Sequence, residues 1–225
     1  MIARLAFASL CAFATVVAAA EPMTPTPPQA RVAGKSAAEW SAAWWQWAFM
    51  QPEGRRAYDD PVGVMCEQGQ KGSVWFLAGT SGKDVAKRRC RVPKGKYLFF
   101  PVINMLMFSP RGRHLACADV QAGASANNDH LQYAIVKLDG VAVADVARFR
   151  AHSEQCFDVF ARAPYIDDSS AYAPAASDGY WLMIEPPAPG RHRISVRANY
   201  VNPHEAFGKM IQYFDYDIDI VDPTI

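Results

Sequence analysis

Hydrophobic and polar residues alternate along several short segments of the chain, most clearly in the last one. Between 214 and 220, four apolar or aromatic side chains alternate with three aspartates, and segment 193–198 alternates apolar residues with arginine or serine. A period of two is typical of a β-strand with one buried face. Antiparallel pairing would set the arginines opposite the aspartates, which predicts an ion-paired outer face. A calcium site on the aspartates is the alternative.

Other apolar runs, separated by proline and glycine turns, predict seven or eight short strands in total. They indicate a mainly β fold, an antiparallel β-sandwich that is Ig-like or jelly-roll-like, with one N-terminal Trp-rich helix packed on it. Asp139-Gly140 marks one predicted hairpin. The other predicted strands lie at 73–79, within 88–104 on both sides of a Pro-x-Gly turn, at 156–160 and at 179–185.

In the segment EWSAAWWQWAFM, the apolar residues recur with the period of a helix instead of a period of two. Ser36 and Glu39 match a capping box, and Pro52 ends the pattern, so a helix is predicted over about 37–50.

Four tryptophans lie on that helix. Trp40, Trp44 and Trp47 share one side, which predicts a buried stripe, whereas Trp45 lies on a second apolar face. For Trp45, both core packing and contact with a ligand stay open.

The N-terminal residues have the pattern of an export signal. Residues 1–20 combine Arg4, an apolar stretch and three alanines, which predicts a secretory signal peptide cleaved after Ala20. A Pro-rich linker is expected at 21–33 and a single β-sandwich domain at 34–225. The mature protein is therefore expected in the periplasm or outside the cell.

The charge balance gives no sign of a polyanionic partner. The chain has 23 Lys plus Arg and 22 Asp plus Glu; removing residues 1–20 deletes only Arg4, which leaves 22 of each. A neutral chain without a basic block predicts no electrostatic footprint for nucleic acid or anionic lipid. With no second long apolar segment, no membrane insertion is expected after signal cleavage.

Four cysteines remain after the predicted cleavage, an even number in an exported chain, which predicts two disulfides. Three pairings are possible. The sequential one, Cys66–Cys90 with Cys117–Cys156, is preferred because it closes loops between neighbouring predicted strands.

Three segments, VWFLAGT (74–80), VPKGKYLFFPVIN (92–104) and DGYWLMIEPPAPGRH (178–192), together resemble the signature of a family of secreted bacterial proteins of unassigned function. The resemblance covers most of the mature chain and implies export and a β-sandwich. It implies no catalytic residues. Glu185-Pro186-Pro187 departs from the family pattern, which more often has an apolar residue before the Pro-Gly turn.

No nucleophile elbow, zinc-protease helix, phosphate-binding loop, dinucleotide fingerprint or calcium loop occurs in the sequence, so neither a metal nor another cofactor is expected. A site is instead predicted where the helix meets one edge of the sandwich. A histidine beside a carboxylate can act as a general base or orient a ligand. The candidate ligand-binding residues are Trp45, Asn104, Asp129, His130, His152 and Glu154. The alternative is a purely structural role, in which residues 127–129 form a turn and Arg150 pairs with Glu154 on the surface.

Three classes of function remain open at this stage. The first is a periplasmic or secreted protein that binds a glycan or small molecule. The second is a secreted hydrolase or lyase with a His-carboxylate site, and the third is a structural envelope or partner-binding protein. The sequence gives no oligomeric state.

Overall fold

The computed structural model describes residues 21–82, 84–202 and 208–222. Two β-sheets pack face to face, which confirms the predicted mainly β sandwich, and helices pack on it. The predicted signal peptide lies outside the described residues. The helices are α1 (Ala37–Ala48) and α2 (Cys117–Ser125). The strands are β1 (Val74–Phe76), β2 (Val85–Pro93), β3 (Tyr97–Phe108), β4 (Leu131–Leu138), β5 (Val141–Ala142), β6 (Arg150–His152), β7 (Ala175–Ile184), β8 (Gly190–Val201) and β9 (Lys209–Val221).

Each sheet mixes parallel and antiparallel pairs, which corrects the purely antiparallel prediction. The four-stranded sheet has the order β1-β3-β7-β6 and the five-stranded sheet the order β2-β9-β8-β4-β5. The pairs β1–β3 and β2–β9 are parallel. The chain runs from β1 into β2 of the opposite sheet and then returns to β3 beside β1. Such a crossover connection makes the two adjacent strands parallel. The residue pattern within a single strand does not predict it.

The predicted hairpin at Asp139-Gly140 joins β4 to β5. Both turn residues have positive φ, 49° and 85°, as a two-residue turn of this kind requires. The predicted alternation of β8 and β9 is also confirmed. Ile194 and Phe214 are completely buried in the apolar layer between the sheets, and Arg193 pairs in register with Asp217 on the outer face.

Helix α1 covers the outer face of the four-stranded sheet and begins at the predicted capping box of Ser36 and Glu39. Trp44 and Trp47 are 1% and 4% exposed, which confirms their burial. Trp40 is only half-buried, because Lys35 and solvent cover part of its ring. The helix thus forms a third layer on the sandwich, as its apolar stripe predicts.

Helix α2 was missing from the predicted fold, which had a single helix. Its apolar stripe consists only of Val120 and Ala124, two residues four positions apart that pack on Ala176 of β7. So short a stripe gives a weak periodic signal. The strand predicted at 156–160 is also wrong, since this segment makes only one isolated bridge, from Phe157 to Ala175.

Residues 22–26, within the segment predicted as a Pro-rich linker, pack on the domain. Short β6 pairs only with residues 178–180 of β7 and leaves the end of β7 without a neighbour on that side. The backbone N–H of Thr26 donates to Met183 at 2.8 Å, and Met23 is buried in the apolar layer between the sheets. The prolines are tolerated because neighbouring threonines supply the backbone contacts.

Both predicted disulfides are formed, Cys66–Cys90 and Cys117–Cys156, with Cα atoms 5.8 and 5.9 Å apart. The first ties the 52–72 loop to β2. The second ties the start of α2 to the segment after β6, and so fixes one wall of the site described next.

Candidate functional site

Arg150, the first residue of β6, gathers side chains from three elements at one end of the sandwich. Its Nε and Nη2 donate to the two carboxylate oxygens of Asp178 at 3.0 and 3.1 Å. Its Nη1 lies 2.7 Å from Oδ1 of Asp129, in the short helix 128–130. One guanidinium therefore joins β6, β7 and the segment after α2, with the bidentate geometry for which arginine is suited.

Asp178 is a carboxylate in a strand of which all ten residues are buried. Its side chain is 4% exposed, against 30% for Arg150 and 57% for Asp129. Burial raises the pKa of Asp178, and the bonds and charge of Arg150 reduce that rise without cancelling it. Burial also acts to lower the pKa of Arg150, but its bonds to the two aspartates outweigh burial and raise it. The guanidinium therefore stays charged.

A second set of bonds fixes the backbone around Asp178. The side-chain amide of Asn128 donates to the Asp178 carbonyl at 3.0 Å, and the hydroxyl of Tyr180 donates to the Asn128 carbonyl at 3.2 Å. Asn128 is 1% exposed. Because each of these polar groups is held by a neighbouring element, the carboxylate has a defined position before any ligand arrives.

The Arg150–Asp178 pair borders an open concavity of about 700 Å³ between α2 and the β6–β7 edge, which we call the α2 groove. Its size falls within the range of small-molecule sites. The groove offers carboxylate, hydroxyl, amide and imidazole groups, and no aromatic side chain lines it. Its lining residues are Gln121, Ala122, Ser125, Arg150, His152, Ser153, Glu154, Ser177 and Asp178.

The two polar groups predicted from the sequence are brought together by Arg150. Asp129 binds its guanidinium, and His152 follows two residues later on β6, opposite Asp178 in register. His152 and Glu154 line the groove, whereas the exposed His130 and Asp129 do not. The surface pair expected between Arg150 and Glu154 is replaced by the pairs with Asp178 and Asp129.

Trp45 lies behind the groove. Its indole N–H donates to the hydroxyl of Ser177 at 3.1 Å, while its ring meets Trp44 and Phe49 edge-on. The side chain is half-buried among the aromatic residues under α1. Trp45 therefore contacts the groove through Ser177 and presents no flat ring within it.

Asn104 lies in β3 opposite Gly179. Its neighbours Ile103 and Met105 face the layer between the sheets, so its own side chain points to the α1 side. It is 6% exposed, and its amide nitrogen has no hydrogen-bond partner among the described residues. The predicted candidates are thus divided between the two faces of the four-stranded sheet.

Asp178, Ser177 and Gln121 belong to the groove but were not among the predicted site residues. A sequence signal existed for Asp178, which is the one charged residue in the apolar run AASDGYWLMI. A carboxylate within an otherwise buried strand needs a partner, and its partner is 28 positions away. Gln121 had no comparable signal because α2 itself was not predicted.

No protein-family model matches the chain, and a search of curated proteins found no match.

Proposed function

We propose that this protein is an exported binding protein that holds a small polar molecule in the α2 groove. The observation that carries the proposal is the bidentate pair of Arg150 with the buried Asp178, at the border of an open concavity of about 700 Å³. Removing such an ion pair from water costs free energy, and apolar residues of the same size often stabilise a protein equally well. Stability alone therefore gives little reason to bury the pair. Polar groups fixed in a cleft are the usual means of orienting a small ligand.

The chemistry of the lining supports a ligand that donates hydrogen bonds. Arg150 is already occupied by Asp178 and Asp129, and the Gln121 amide nitrogen donates to the carbonyls of Ser153 and Glu154. The acceptors left to a ligand include the carboxylate of Glu154, the imidazole of His152 and the side-chain oxygen of Gln121. Hydroxyl or amine groups match these acceptors. The lining lacks an aromatic ring on which a sugar could stack, so a small amine or polyol is favoured over an extended glycan.

Export is supported by the two disulfides, which persist in oxidising compartments and are rare in the cytosol. The signal-peptide pattern of residues 1–20 and the resemblance to secreted bacterial proteins support the same location.

Native mass spectrometry of protein taken from the periplasm of its producing cells, together with thermal shifts, tests this proposal. The thermal panel contains ethanolamine, putrescine, glycerol and glucose. The variant His152→Ala/Glu154→Gln changes two exposed groove residues, and His114→Ala/Glu67→Gln changes the same residue types on exposed loops elsewhere. Wild type and control should share a bound mass or a raised melting temperature that the groove variant lacks. Identical behaviour of both variants, or no binding by wild type, would contradict the proposal.

One observation favours a hydrolase or lyase as a second candidate. His152 lies opposite Asp178, whose pKa is raised by burial, and a histidine beside such a carboxyl is a common acid-base arrangement. Binding stays first, because Arg150 occupies both carboxylate oxygens of Asp178. Product formation that His152→Ala abolishes, while the bound mass is retained, would establish the enzyme instead.

A further inference from the structure

The outer face of the five-stranded sheet collects basic side chains from four strands; we call it the basic face. Eight lysines or arginines and three aspartates point outward here, a formal excess of five positive charges. The whole chain has a net charge of +1, so the rest of it carries a net −4. The basic residues are Lys87, Arg89 and Arg91 on β2, Lys137 on β4, Arg191, Arg193 and Arg197 on β8, and Lys209 on β9; the acidic ones are Asp215, Asp217 and Asp219.

The aspartates are neutralised from one side only. Arg191, Arg193 and Arg197 of β8 form ion pairs with them at 3.0–4.0 Å. The three basic residues of β2 flank the same aspartates from the other side, yet they form no ion pair within the described part of the chain. Because β2 is the edge strand, these three charges are open to a partner.

Exposed apolar side chains lie on the same face and on the loop beside β2. The described residues include seven large apolar side chains that are at least 39% exposed, and six lie on the basic face or on the loop beside β2. That loop is held to β2 by the N–H groups of Lys87 and Arg89, which donate to the carbonyls of Pro61 and Val62. Most of the exposed large apolar side chains therefore share this face, which favours an interaction surface. The six are Val62, Val64, Val85, Ile135, Val141 and Val201.

A concavity of about 780 Å³ lies within the basic face, next to the β4–β5 turn. Three arginines and three aspartates line it, namely Arg89, Arg191 and Arg193 with Asp139, Asp217 and Asp219. Arg89 contributes a guanidinium without an ion-pair partner among the described residues. The concavity is wide enough for the head group of a phospholipid.

We propose that the basic face binds the surface of a membrane that contains anionic phospholipid. Anionic lipid attracts basic side chains, and the surrounding valine and isoleucine side chains can enter the boundary between head groups and acyl chains. A soluble acidic polysaccharide would match the charges but leave the apolar side chains in water. No helix among the described residues is long and apolar enough to cross a membrane, so the contact proposed is peripheral.

Vesicle sedimentation with phosphatidylcholine alone, or mixed with phosphatidylglycerol, tests this inference. Wild type should sediment with the mixed vesicles only, and about 1 M salt should weaken binding, since the Debye length is then about 3 Å. Lys87→Gln/Arg89→Gln/Arg91→Gln removes the unpaired charges. Lys35→Gln/Arg111→Gln/Arg113→Gln removes the same number from exposed positions before α1 and between β3 and α2, and serves as control. The β2 variant should bind at least roughly tenfold more weakly than the control.

The apolar contribution is tested separately with Val62→Ser/Val64→Ser, two exposed positions whose replacement leaves the core intact. This variant should weaken vesicle binding while leaving retention on soluble dextran sulfate unchanged. The inference is overturned by equal binding to both kinds of vesicle, by equal loss in the β2 variant and its control, or by binding to dextran sulfate without binding to vesicles. None of these residues lines the α2 groove, so the outcome is independent of the function proposed for it.

Discussion

Gly179 lies directly opposite Asn104 in the β3–β7 pair, with no room between them for a side chain. A β-carbon at Gly179 would stand 2.5 Å from the Asn104 β-carbon and 2.7 Å from the Ile103 carbonyl oxygen. Two of its three nearest atoms belong to the β3 backbone, which cannot rotate away as a side chain could. The glycine therefore allows β3 and β7 to pair closely behind the Arg150–Asp178 site.

Gly179→Ala is therefore expected to destabilise the protein by at least about 1–3 kcal/mol, the usual range for overpacking. Urea unfolding followed by tryptophan fluorescence measures the change. Gly123→Ala is the matched control, because its added methyl meets only the flexible side chain of Met107, at 3.1 Å. Gly123 also lies in a helix, where alanine is favoured over glycine. Equal stability of Gly179→Ala and wild type would show that the two strands separate easily.

Trp44→Ala should remove one of the largest buried side chains of the layer under α1. The indole is 1% exposed, donates to the Leu77 carbonyl at 2.9 Å and stands edge-on to Trp181. Such a truncation costs about 3–5 kcal/mol, and the free energy of unfolding measures it. Trp40→Ala on the same helix should cost clearly less because Trp40 is only half-buried. Equal losses would contradict the burial difference between the two residues.

Helix α1 and the last two strands could be predicted because their information is local. Alternation from Phe214 to Ile220 and the Ser36–Glu39 box each specify one element from its own residues. Three features could not be predicted in this way: the parallel strand pairs, helix α2, and the packing of residues 22–26 on the end of β7. They depend on which strand lies beside which, and short β6 determines where Thr26 finds its backbone partner.

The site shows the same limit. Asp129, His152 and Glu154 could be proposed from composition, since histidines and carboxylates flank one predicted hairpin. Arg150 joins Asp129 to this site, but the carboxylate that holds Arg150, Asp178, lies on another strand. Likewise, a neutral chain without a basic block gave no hint of the basic face, because Arg89 and Arg193 become neighbours of Asp217 only through sheet register.

Asp60 provides a pH-dependent contribution to stability. Burial acts to raise its pKa, but backbone N–H groups of Met65, Gly63 and Val62 donate to the carboxylate and outweigh burial, so the pKa is lowered. A lowered folded-state pKa means that the contribution is present above the unfolded-state value of about 3.9. It is lost as the pH falls through the folded-state pKa.

Asp60→Asn should therefore destabilise the protein at pH 7, because an amide nitrogen cannot accept the third backbone bond. The difference from wild type should shrink as the pH falls from about 4 toward the lowered folded-state pKa, because the carboxyl of the unfolded chain takes up a proton first. Urea unfolding across this pH range measures both values. The exposed Asp167→Asn is the control and should show little difference at either pH. A difference for Asp60→Asn that stays constant with pH would contradict this account.

The Arg150–Asp178 pair should show strong coupling when the two side chains are replaced. Arg150→Met leaves a carboxylate that is 4% exposed without its main partner, for which we expect a loss near the lower end of about 3–5 kcal/mol. Asp178→Asn should cost less, since Arg150 keeps Asp129 and is 30% exposed. The double variant should recover part of the Arg150→Met loss, because no buried charge remains.

The pH dependence of Arg150→Met separates this explanation from simple loss of packing. Without Arg150, the pKa of Asp178, already raised by burial, should rise further. A raised folded-state pKa means that the ionised form destabilises, so the loss should diminish as the pH falls through that pKa and Asp178 takes up a proton. Unfolding free energies of the single and double variants, measured from pH 4 to pH 8, test this. The range extends upward from the ordinary carboxyl pKa of about 4 because the pKa of Asp178 is expected to be raised. Strictly additive losses, unchanged across the range, would mean that the two side chains contribute independently.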